Sequence, residues 1–190
     1  ELRLGAADLS LVSRTETTNE TALIDRCRRQ DLDAFNTLVD AYEARVFGFV
    51  RRMVKNPDEA SDIFQEVFIR AFQSFTRFDG RCSVKTWLFR IAYNLCVDRA
   101  RKVERSISEV SMQGGGESEE WMDVADSRWE PERIAVEEEL AAVIESAIAT
   151  MSDKLKSVLL LHDREDASYE EIAVALDLPI GTVKSRLFLA

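Results

Sequence analysis

Apolar residues recur at every third or fourth position along several stretches of this sequence, and this spacing constrains the fold more than any other feature. The first stretch runs from Leu32 to Met53 and includes Phe35, Leu38, Val39, Tyr42, Val46, Phe49 and Val50. Steps of three and four place these side chains on one face of an α-helix. The 190 residues include only seven Gly and three Pro, too few for a turn-rich β architecture. An all-α fold is therefore predicted.

Two further long helices follow the first. Asn56 and Pro57 are typical of a helix N-cap and of a first helical position. The stripe that follows them consists of Ala60, Ile63, Phe64, Val67, Phe68, Ala71, Phe72 and Phe75. After a loop, Ser83 can cap a third helix whose apolar stripe is Val84, Trp87, Leu88, Ile91, Ala92 and Leu95. A weaker apolar pattern over residues 21–29 predicts a short helix before them.

A change of composition divides the chain into two small helical domains. Residues 105–133 hold eight Asp and Glu against three Arg, with three consecutive Gly and little periodicity, which indicates a flexible acidic linker. Helical spacing returns at Ile134 and continues to Met151, followed by a short helix after Ser152. We expect an N-terminal extension over 1–19, a first domain over 20–104, the linker over 105–133 and a second domain over 134–190.

The stretch FDGRCSVKTWLFRIAYNLCVDRARK, residues 78–102, carries six Lys and Arg against two Asp, although the whole chain has a formal net charge of −10. Cations mixed with aromatic residues are typical of surfaces that bind single-stranded nucleic acid. A solvated helix face is the alternative. Trp87 is open to two interpretations, a core side chain or a wedge between DNA strands.

The last 23 residues, SYEEIAVALDLPIGTVKSRLFLA, predict a helix-turn-helix. Ser168 and Glu171 have the spacing of a capping box, and Asp177-Leu178-Pro179 ends the first short helix. The second short helix has Val183 and Leu187 inward. An ordinary helical hairpin with a basic tip is the alternative.

Several function classes have no support in the residues. The three Cys, at 27, 82 and 96, form no CxxC pair, and the single His162 cannot complete a Cys/His zinc site, so no metal or other cofactor is predicted. No nucleophile with a paired base and no phosphate-binding Gly loop is present, so we do not expect an enzyme. No apolar run has the length of a signal peptide or a membrane span, which predicts a cytoplasmic protein without membrane insertion.

The order and spacing of these motifs resemble the bacterial extracytoplasmic-function (ECF) sigma factors of RNA polymerase. Region 2 of that family is similar to DEASDIFQEVFIRAFQSFTRFDGRCSVKTWLFRIAYNLCVDRARK here, and region 4 is similar to SYEEIAVALDLPIGTVKSRL. The resemblance covers nearly the whole chain from Thr21. It implies a subunit that binds core RNA polymerase, directs it to promoter DNA and promotes melting.

The resemblance also implies three sets of site residues. The minus-ten element would be bound as single-stranded DNA by Arg81, Ser83, Lys85, Thr86, Arg90, Tyr93, Asn94, Arg99 and Arg101. The minus-thirty-five duplex would be bound by Ser168, Thr182, Lys184, Ser185 and Arg186. The clamp helices of the polymerase largest subunit would dock on Asp62, Gln65, Glu66 and Ile69. An anti-sigma factor is a further partner implied by the resemblance.

Two other functions remain open at this point. A free-standing helix-turn-helix repressor or activator would use the N-terminal helices for dimerisation or effector sensing, without polymerase. A helical adaptor would use its basic faces to dock acidic proteins. Transcription by core polymerase that depends on this protein would separate the sigma factor from both.

Overall fold

The computed structural model describes residues 20–110 and 131–190, and all regular structure in these two ranges is helical. The first range contains α1 over 20–28, α2 over Leu32–Met53, α3 over Pro57–Ser74 and α4 over Val84–Val110. A short 3₁₀ turn, Phe75–Arg77, follows α3. The all-α prediction is therefore confirmed.

The second range contains the other four helices. They are α5 over Pro131–Thr150, α6 over Asp153–Leu159, α7 over Tyr169–Leu176 and α8 over Ile180–Leu189. A five-residue π-helix, Leu160–Arg164, continues α6. Helices α4 and α5 thus enter both ends of the predicted linker, while residues 111–130 of that linker and the predicted extension over 1–19 lie outside the described residues.

Local side-chain caps begin the helices where the sequence predicts them. The Asn56 side chain accepts a hydrogen bond from the Asp58 backbone N–H at 2.9 Å, with Pro57 at the first helical position. The Ser83 Oγ accepts from the Thr86 backbone N–H at 3.1 Å. Each cap satisfies a backbone donor that has no partner within its helix.

Helices α2, α3 and α4 pack around a core rich in aromatic side chains. Phe75 is fully buried, and its ring lies 6.2 Å from Phe35, 5.4 Å from Phe78 and 5.2 Å from Trp87 between centroids. Trp87 is half-buried and packs against this core, and its role at DNA stays a prediction. This packing fixes the start of α4 against the end of α3.

The predicted apolar stripe of α5 is largely exposed. Leu140, Val143 and Ile144 keep 58%, 62% and 44% of their surface accessible, whereas Ile148 is buried. Periodicity identified the helix correctly, because spacing depends on the residues themselves. Which face is covered depends on neighbouring elements, and spacing does not contain that information.

The two helical domains contact one another. Helix α7 packs against α4, and α6 packs against α2. The first of these contacts places the helix-turn-helix next to the start of α4, where the sequence predicts a binding surface.

Candidate nucleic-acid and polymerase interfaces

The loop from Phe78 to Ser83 leads into α4 and holds the first predicted minus-ten residues. Gly80 adopts a left-handed conformation, with φ of 75°, which a glycine accepts without the steric cost of a side chain. The Asp79 carboxylate accepts from the Arg81 backbone N–H at 3.1 Å and pairs with the Arg81 side chain at 3.0 Å. Arg81 still projects into solvent, with 89% of its side chain exposed.

The nine predicted minus-ten residues differ in accessibility. Two are half-buried, Lys85 and Tyr93, and one, Thr86, is only 3% exposed. The exposed members are Arg81, Ser83, Arg90, Asn94, Arg99 and Arg101. The exposed set supplies both cations and hydrogen-bonding groups that a nucleic-acid strand could contact.

The second domain covers two of these residues. The Lys85 ammonium donates to the backbone carbonyl of Glu165 at 2.9 Å. The Thr86 hydroxyl contacts the Glu171 carboxylate at 3.4 Å and lies 2.8 Å from the Ser83 hydroxyl. In this arrangement, groups of the helix-turn-helix domain occupy the positions beside Lys85 and Thr86.

Two further arginines of the candidate surface, Arg99 and Arg101, are paired with acids. Arg99 donates to Glu59 of α3 at 2.6 Å, and this hydrogen bond raises the pKa of the Arg99 guanidinium. Arg101 lies 3.8 Å from Asp98 on its own helix. Both arginines stay exposed, so a phosphate could exchange with these carboxylates at little cost.

A cleft of about 510 Å³ between α3 and α4 was missed by the sequence analysis. It is lined by Arg70, Gln73, Ser74, Arg77, Ile91 and Asn94. Arg70, Gln73 and Ser74 lie on α3 and Arg77 ends the 3₁₀ turn that follows it, all at helical spacing, and this polar stripe is the signal that could have identified them. Arg70 and Arg77, which were not predicted, therefore line the same cleft as the predicted Asn94.

The helix-turn-helix has the predicted capping box. The Ser168 Oγ accepts from the Glu171 backbone N–H at 3.2 Å, and Glu171 in turn accepts from the Ser168 backbone N–H at 3.0 Å. The hydrogen bond from that Ser168 N–H is the main cause that lowers the pKa of Glu171. Asp177 ends α7 in a left-handed conformation, with φ of 53°.

The predicted DNA-binding residues of α8 differ in their exposure to solvent. Lys184 and Ser185 are exposed, and the Lys184 ammonium lies 6.0 Å from the centre of the Tyr169 ring. Thr182 and Arg186 are half-buried. One guanidinium nitrogen of Arg186 is buried without a hydrogen-bond partner among the described residues. Among the predicted DNA-binding residues of α8, Lys184 and Ser185 are therefore the most accessible.

The predicted polymerase-binding residues lie together on one face of α3. Asp62, Gln65 and Ile69 are exposed, and Ile69 keeps 50% of its surface accessible. Glu66 is half-buried and pairs with Arg70 at 2.6 Å. An exposed isoleucine bordered by acids gives this face an apolar centre with a polar rim, a pattern found at protein interfaces.

Ion pairs reinforce the contact between the two domains. Arg45 of α2 donates to the Glu165 carboxylate at 2.7 Å, and the Glu165 side chain is only 7% exposed. Burial raises the pKa of Glu165, and Arg45 opposes that effect. Arg52 contacts both carboxylate oxygens of Glu145 on α5, with a shortest distance of 2.7 Å.

Within 20–110 and 131–190, no three His, Cys, Asp or Glu side chains are grouped to hold a metal ion. In the same ranges, no helix combines the length and apolar character needed to cross a membrane.

Comparison with known proteins identifies the family. The models for Sigma-70 region 2 and Sigma-70, region 4 match residues 38–106 and 141–190. The RNA polymerase sigma-H factor of Pseudomonas aeruginosa is 34% identical over 170 residues, which cover 88% of each chain. The chain belongs to the ECF sigma factors of RNA polymerase. The ECF RNA polymerase sigma factor SigW of Bacillus subtilis is 37% identical over 166 residues, 86% of this chain and 88% of the relative.

Two solved structures share the fold of this sigma factor. The sigma factor RpoE of Bartonella quintana, solved with the anti-sigma factor NepR, gives a TM-score of 0.67 at 20% identity, covering 82% of this chain and 90% of that one. CnrH, solved with the cytosolic domain of CnrY, gives 0.62 at 21% identity, covering 89% and 90%.

Family membership decides between the functions that the sequence left open. An ECF sigma factor binds core RNA polymerase, directs it to promoters and promotes melting, and it is not an enzyme. The relatives do not support a free-standing repressor or activator.

Proposed function

We propose that this sigma factor captures an unstacked base of the minus-ten element at the start of α4. The observation that carries this proposal is that Arg90 and Asn94 are exposed on α4 on the same side as the half-buried Trp87, and that the exposed Arg81 lies in the loop before this helix. A captured base needs an apolar support and hydrogen bonds to its edge, while the displaced backbone needs cations. This part of the molecule offers all three.

The cleft between α3 and α4 extends the proposed strand path. Arg70 borders it on α3, Arg77 borders it in the 3₁₀ turn after α3, and Asn94 borders it on α4. An extended strand that passes from Arg81 towards Arg99 and Arg101 would find arginines near its phosphates along the way. Phosphate neutralisation of this kind makes binding strongly dependent on salt.

Region 4 is proposed to hold the minus-thirty-five element as a duplex. Helix α8 presents Lys184 and Ser185 for the major groove, where lysine can contact phosphate or guanine. The half-buried Thr182 and Arg186 are proposed to contribute to the same contact, and Ser168 at the start of α7 is proposed to brace the DNA backbone.

The α3 face of Asp62, Gln65, Glu66 and Ile69 is proposed to dock on the clamp helices of the polymerase largest subunit. The exposed Ile69 would supply the apolar contact, and the acids around it would pair with basic groups on the polymerase. Because the sigma factors related to this chain act with RNA polymerase, we propose that this protein is cytoplasmic.

The observed packing of the two domains would have to open when DNA binds. Lys85 and Thr86 contact Glu165 and Glu171, so the same groups cannot at the same time contact a DNA strand. The free protein should therefore bind promoter DNA poorly, and docking on core polymerase should favour the separated arrangement.

An anti-sigma factor is proposed as a further partner. The related sigma factor from Bartonella quintana was solved in complex with such a protein. A partner that keeps region 4 packed against α4 would keep Lys85 and Thr86 covered, and this would inhibit initiation.

Reconstituted transcription tests the proposal directly. Purified core polymerase, with a promoter selected by the wild-type holoenzyme from a randomised library, is assayed with wild type, Lys85→Ala, Asn94→Ala and Lys184→Ala. Lys154→Ala, at an exposed position outside the proposed surfaces, is the matched control. Asn94→Ala is included because Lys85 also contacts Glu165.

Distinct defects are expected from the variants. Lys85→Ala and Asn94→Ala should impair promoter opening, measured by permanganate reactivity of unpaired thymines, more than they impair core binding. Lys184→Ala should weaken upstream duplex binding and reduce its salt slope by about one. Opening and promoter affinity at the control level in all three variants would contradict the assigned sites.

A further inference from the structure

The end of α1 contacts the loop that precedes the proposed base-capture surface. Arg28 donates from Nε to the Phe78 backbone carbonyl at 3.0 Å, and its guanidinium lies 5.8 Å from the centre of the Phe78 ring. A second nitrogen of the same guanidinium pairs with Asp25 at 2.9 Å. A Cβ built on Gly80 would lie 3.5 Å from the third nitrogen, so the guanidinium also borders the loop backbone.

A second contact from the same segment supports this connection. Gln30 adopts a left-handed conformation, with φ of 61°, and its side-chain amide donates to the Phe72 carbonyl near the end of α3 at 3.0 Å. Cys27, in α1, is fully buried and anchors the helix in the core. The segment over 27–30 therefore holds both the end of α3 and the start of the loop.

Nothing in the family match assigns a role to this segment, because the Sigma-70 region 2 match begins at residue 38. The loop itself has few internal restraints. Gly80 has a left-handed backbone, and within the loop the Asp79 carboxylate accepts from the Arg81 backbone N–H and pairs with the exposed Arg81 side chain. External contacts must therefore contribute to its conformation.

We propose that Arg28 is a positioning residue for capture of the minus-ten base, an inference that rests on the function proposed above. Arg28 holds the carbonyl and the ring of Phe78, and Phe78 in turn packs against Phe75 and Trp87. Fixing this residue sets where the loop begins and so where Arg81 and Ser83 are presented. Arg28 acts through the loop and does not itself contact the base.

The chemistry of the side chain fits this role. A planar guanidinium can lie against an aromatic ring while its N–H groups donate in several directions, as Arg28 does towards Phe78 and Asp25. A lysine ammonium could retain the charge near the ring but has no rigid fork to hold the same geometry.

The experiment measures how strongly the holoenzyme prefers an intact single strand over one that lacks the captured base. The probe is the non-template minus-ten strand selected by wild-type holoenzyme from a randomised library, together with the same strand made abasic at each position in turn. Wild type, Arg28→Met and Arg28→Lys are compared by fluorescence anisotropy. Arg26→Met is the matched control, because Arg26 on the same helix makes an exposed ion pair with Asp31 at 2.8 Å.

The expected result is a change in discrimination. Arg28→Met should lower the ratio of intact to abasic affinity roughly fivefold at the captured position, Arg28→Lys should retain part of it, and Arg26→Met should match wild type. If Arg28→Met unfolds below the assay temperature, Arg28→Gln replaces it, and a ratio between that expected of Arg28→Met and that of wild type should result, with the wild-type ratio again overturning the role. The glutamine side chain can still donate to the Phe78 carbonyl but carries no charge.

Two results would overturn the role of Arg28. One is a folded Arg28→Met holoenzyme with the wild-type ratio. The other is an equal loss of affinity for intact and abasic strands with a shallower salt dependence, which would identify Arg28 as a direct phosphate contact. If wild type itself shows no preference for the intact strand, the proposed base capture fails, a result distinct from failure of the Arg28 inference alone.

Discussion

At the scale of single residues, Phe75 links the stability of region 2 to the geometry of the proposed base-capture surface. It is fully buried between α2 and α4, and its ring contacts Phe35, Phe78 and Trp87. Two of these neighbours lie at the start of the loop and in the first turn of α4. A cavity at this position would therefore affect both folding and the loop.

We expect Phe75→Ala to lower the free energy of unfolding by about 3–5 kcal/mol, because it removes a buried aromatic side chain and leaves a cavity. Denaturant unfolding followed by circular dichroism measures the change. Phe188→Ala is the matched control, since Phe188 is 91% exposed, and it should change stability by less than about 0.5 kcal/mol. Equal effects of the two substitutions would contradict the core position of Phe75.

The sequence predicted individual residues well where the signal was local and poorly where a distant partner decided the environment. The caps at Asn56 and Ser83 were predicted because each acts on a backbone group two or three residues away. Thr86 was predicted as a DNA contact but is buried, with Glu171, 85 residues further along the chain, beside it. Arg70 and Arg77 were missed because the cleft exists only when α3 packs beside α4.

At the scale of elements, the capping box is the feature that begins the helix-turn-helix. Ser168→Ala removes the hydroxyl that accepts from the Glu171 backbone N–H. We expect a loss of about 1 kcal/mol in unfolding free energy, the usual cost of an N-cap serine. Ser61→Ala is the control, because the Ser61 hydroxyl donates to the Pro57 carbonyl within α3 and caps no helix. A loss no larger than that of the control would mean that the capping box contributes nothing measurable.

The same box predicts a dependence on pH. Hydrogen bonds from Ser168 are the main cause that lowers the folded-state pKa of Glu171 below its ordinary 4.5. Lys85 and Thr86 lower this pKa further, by smaller amounts. The unfolded chain therefore binds the proton more readily, so the stability from this carboxylate is present above about pH 4.5 and is lost as pH falls through the folded pKa. The difference in unfolding free energy between wild type and Glu171→Gln should shrink across that range. A difference that stays constant would rule out this titration.

For some helices the sequence predicted both their bounds and their buried side, and for others only their existence. The helix-turn-helix was predicted in detail because its cap, its turn at Asp177 and its inward Val183 are all local features. For α5, spacing predicted the helix but not its environment, and Leu140, Val143 and Ile144 proved exposed. Coverage of a helix face is a tertiary property that requires the positions of other elements.

At the scale of the whole molecule, the packing of region 4 on region 2 could not be predicted from the sequence. Arg45 and Glu165 are 120 residues apart, and Arg52 and Glu145 are 93 residues apart. Neither pair belongs to a local pattern. The two pairs also differ in exposure, since the Glu165 side chain is 7% exposed and that of Glu145 is 40% exposed. Salt should therefore weaken the second pair more than the first.

The Arg45→Ala substitution tests whether the more buried Arg45–Glu165 pair holds the two domains together. The reactivity of the Cys96 thiol is the measure of their separation. Cys96 on α4 is 4% exposed, and burial raises its pKa to about 12, with Asp153 at the start of α6 as a second cause. The Asp153 carboxylate at the start of α6 thus disfavours the Cys96 thiolate when the domains are packed. Removing Arg45 leaves the buried Glu165 carboxylate without its cation, an arrangement that destabilises the contact. The two domains should then separate more often.

We expect Cys96 to react faster with iodoacetamide in Arg45→Ala than in wild type, by roughly tenfold if the contact loses about 1.4 kcal/mol. Peptide mass spectrometry assigns the label to each cysteine. Cys27 provides an internal control because it is buried within region 2, so its rate should rise only if that domain itself unfolds. Arg26→Ala, which removes an ion pair confined to region 2, should leave the Cys96 rate unchanged. Equal Cys96 rates in Arg45→Ala and wild type would show that the Arg45–Glu165 pair does not hold region 4 against α4.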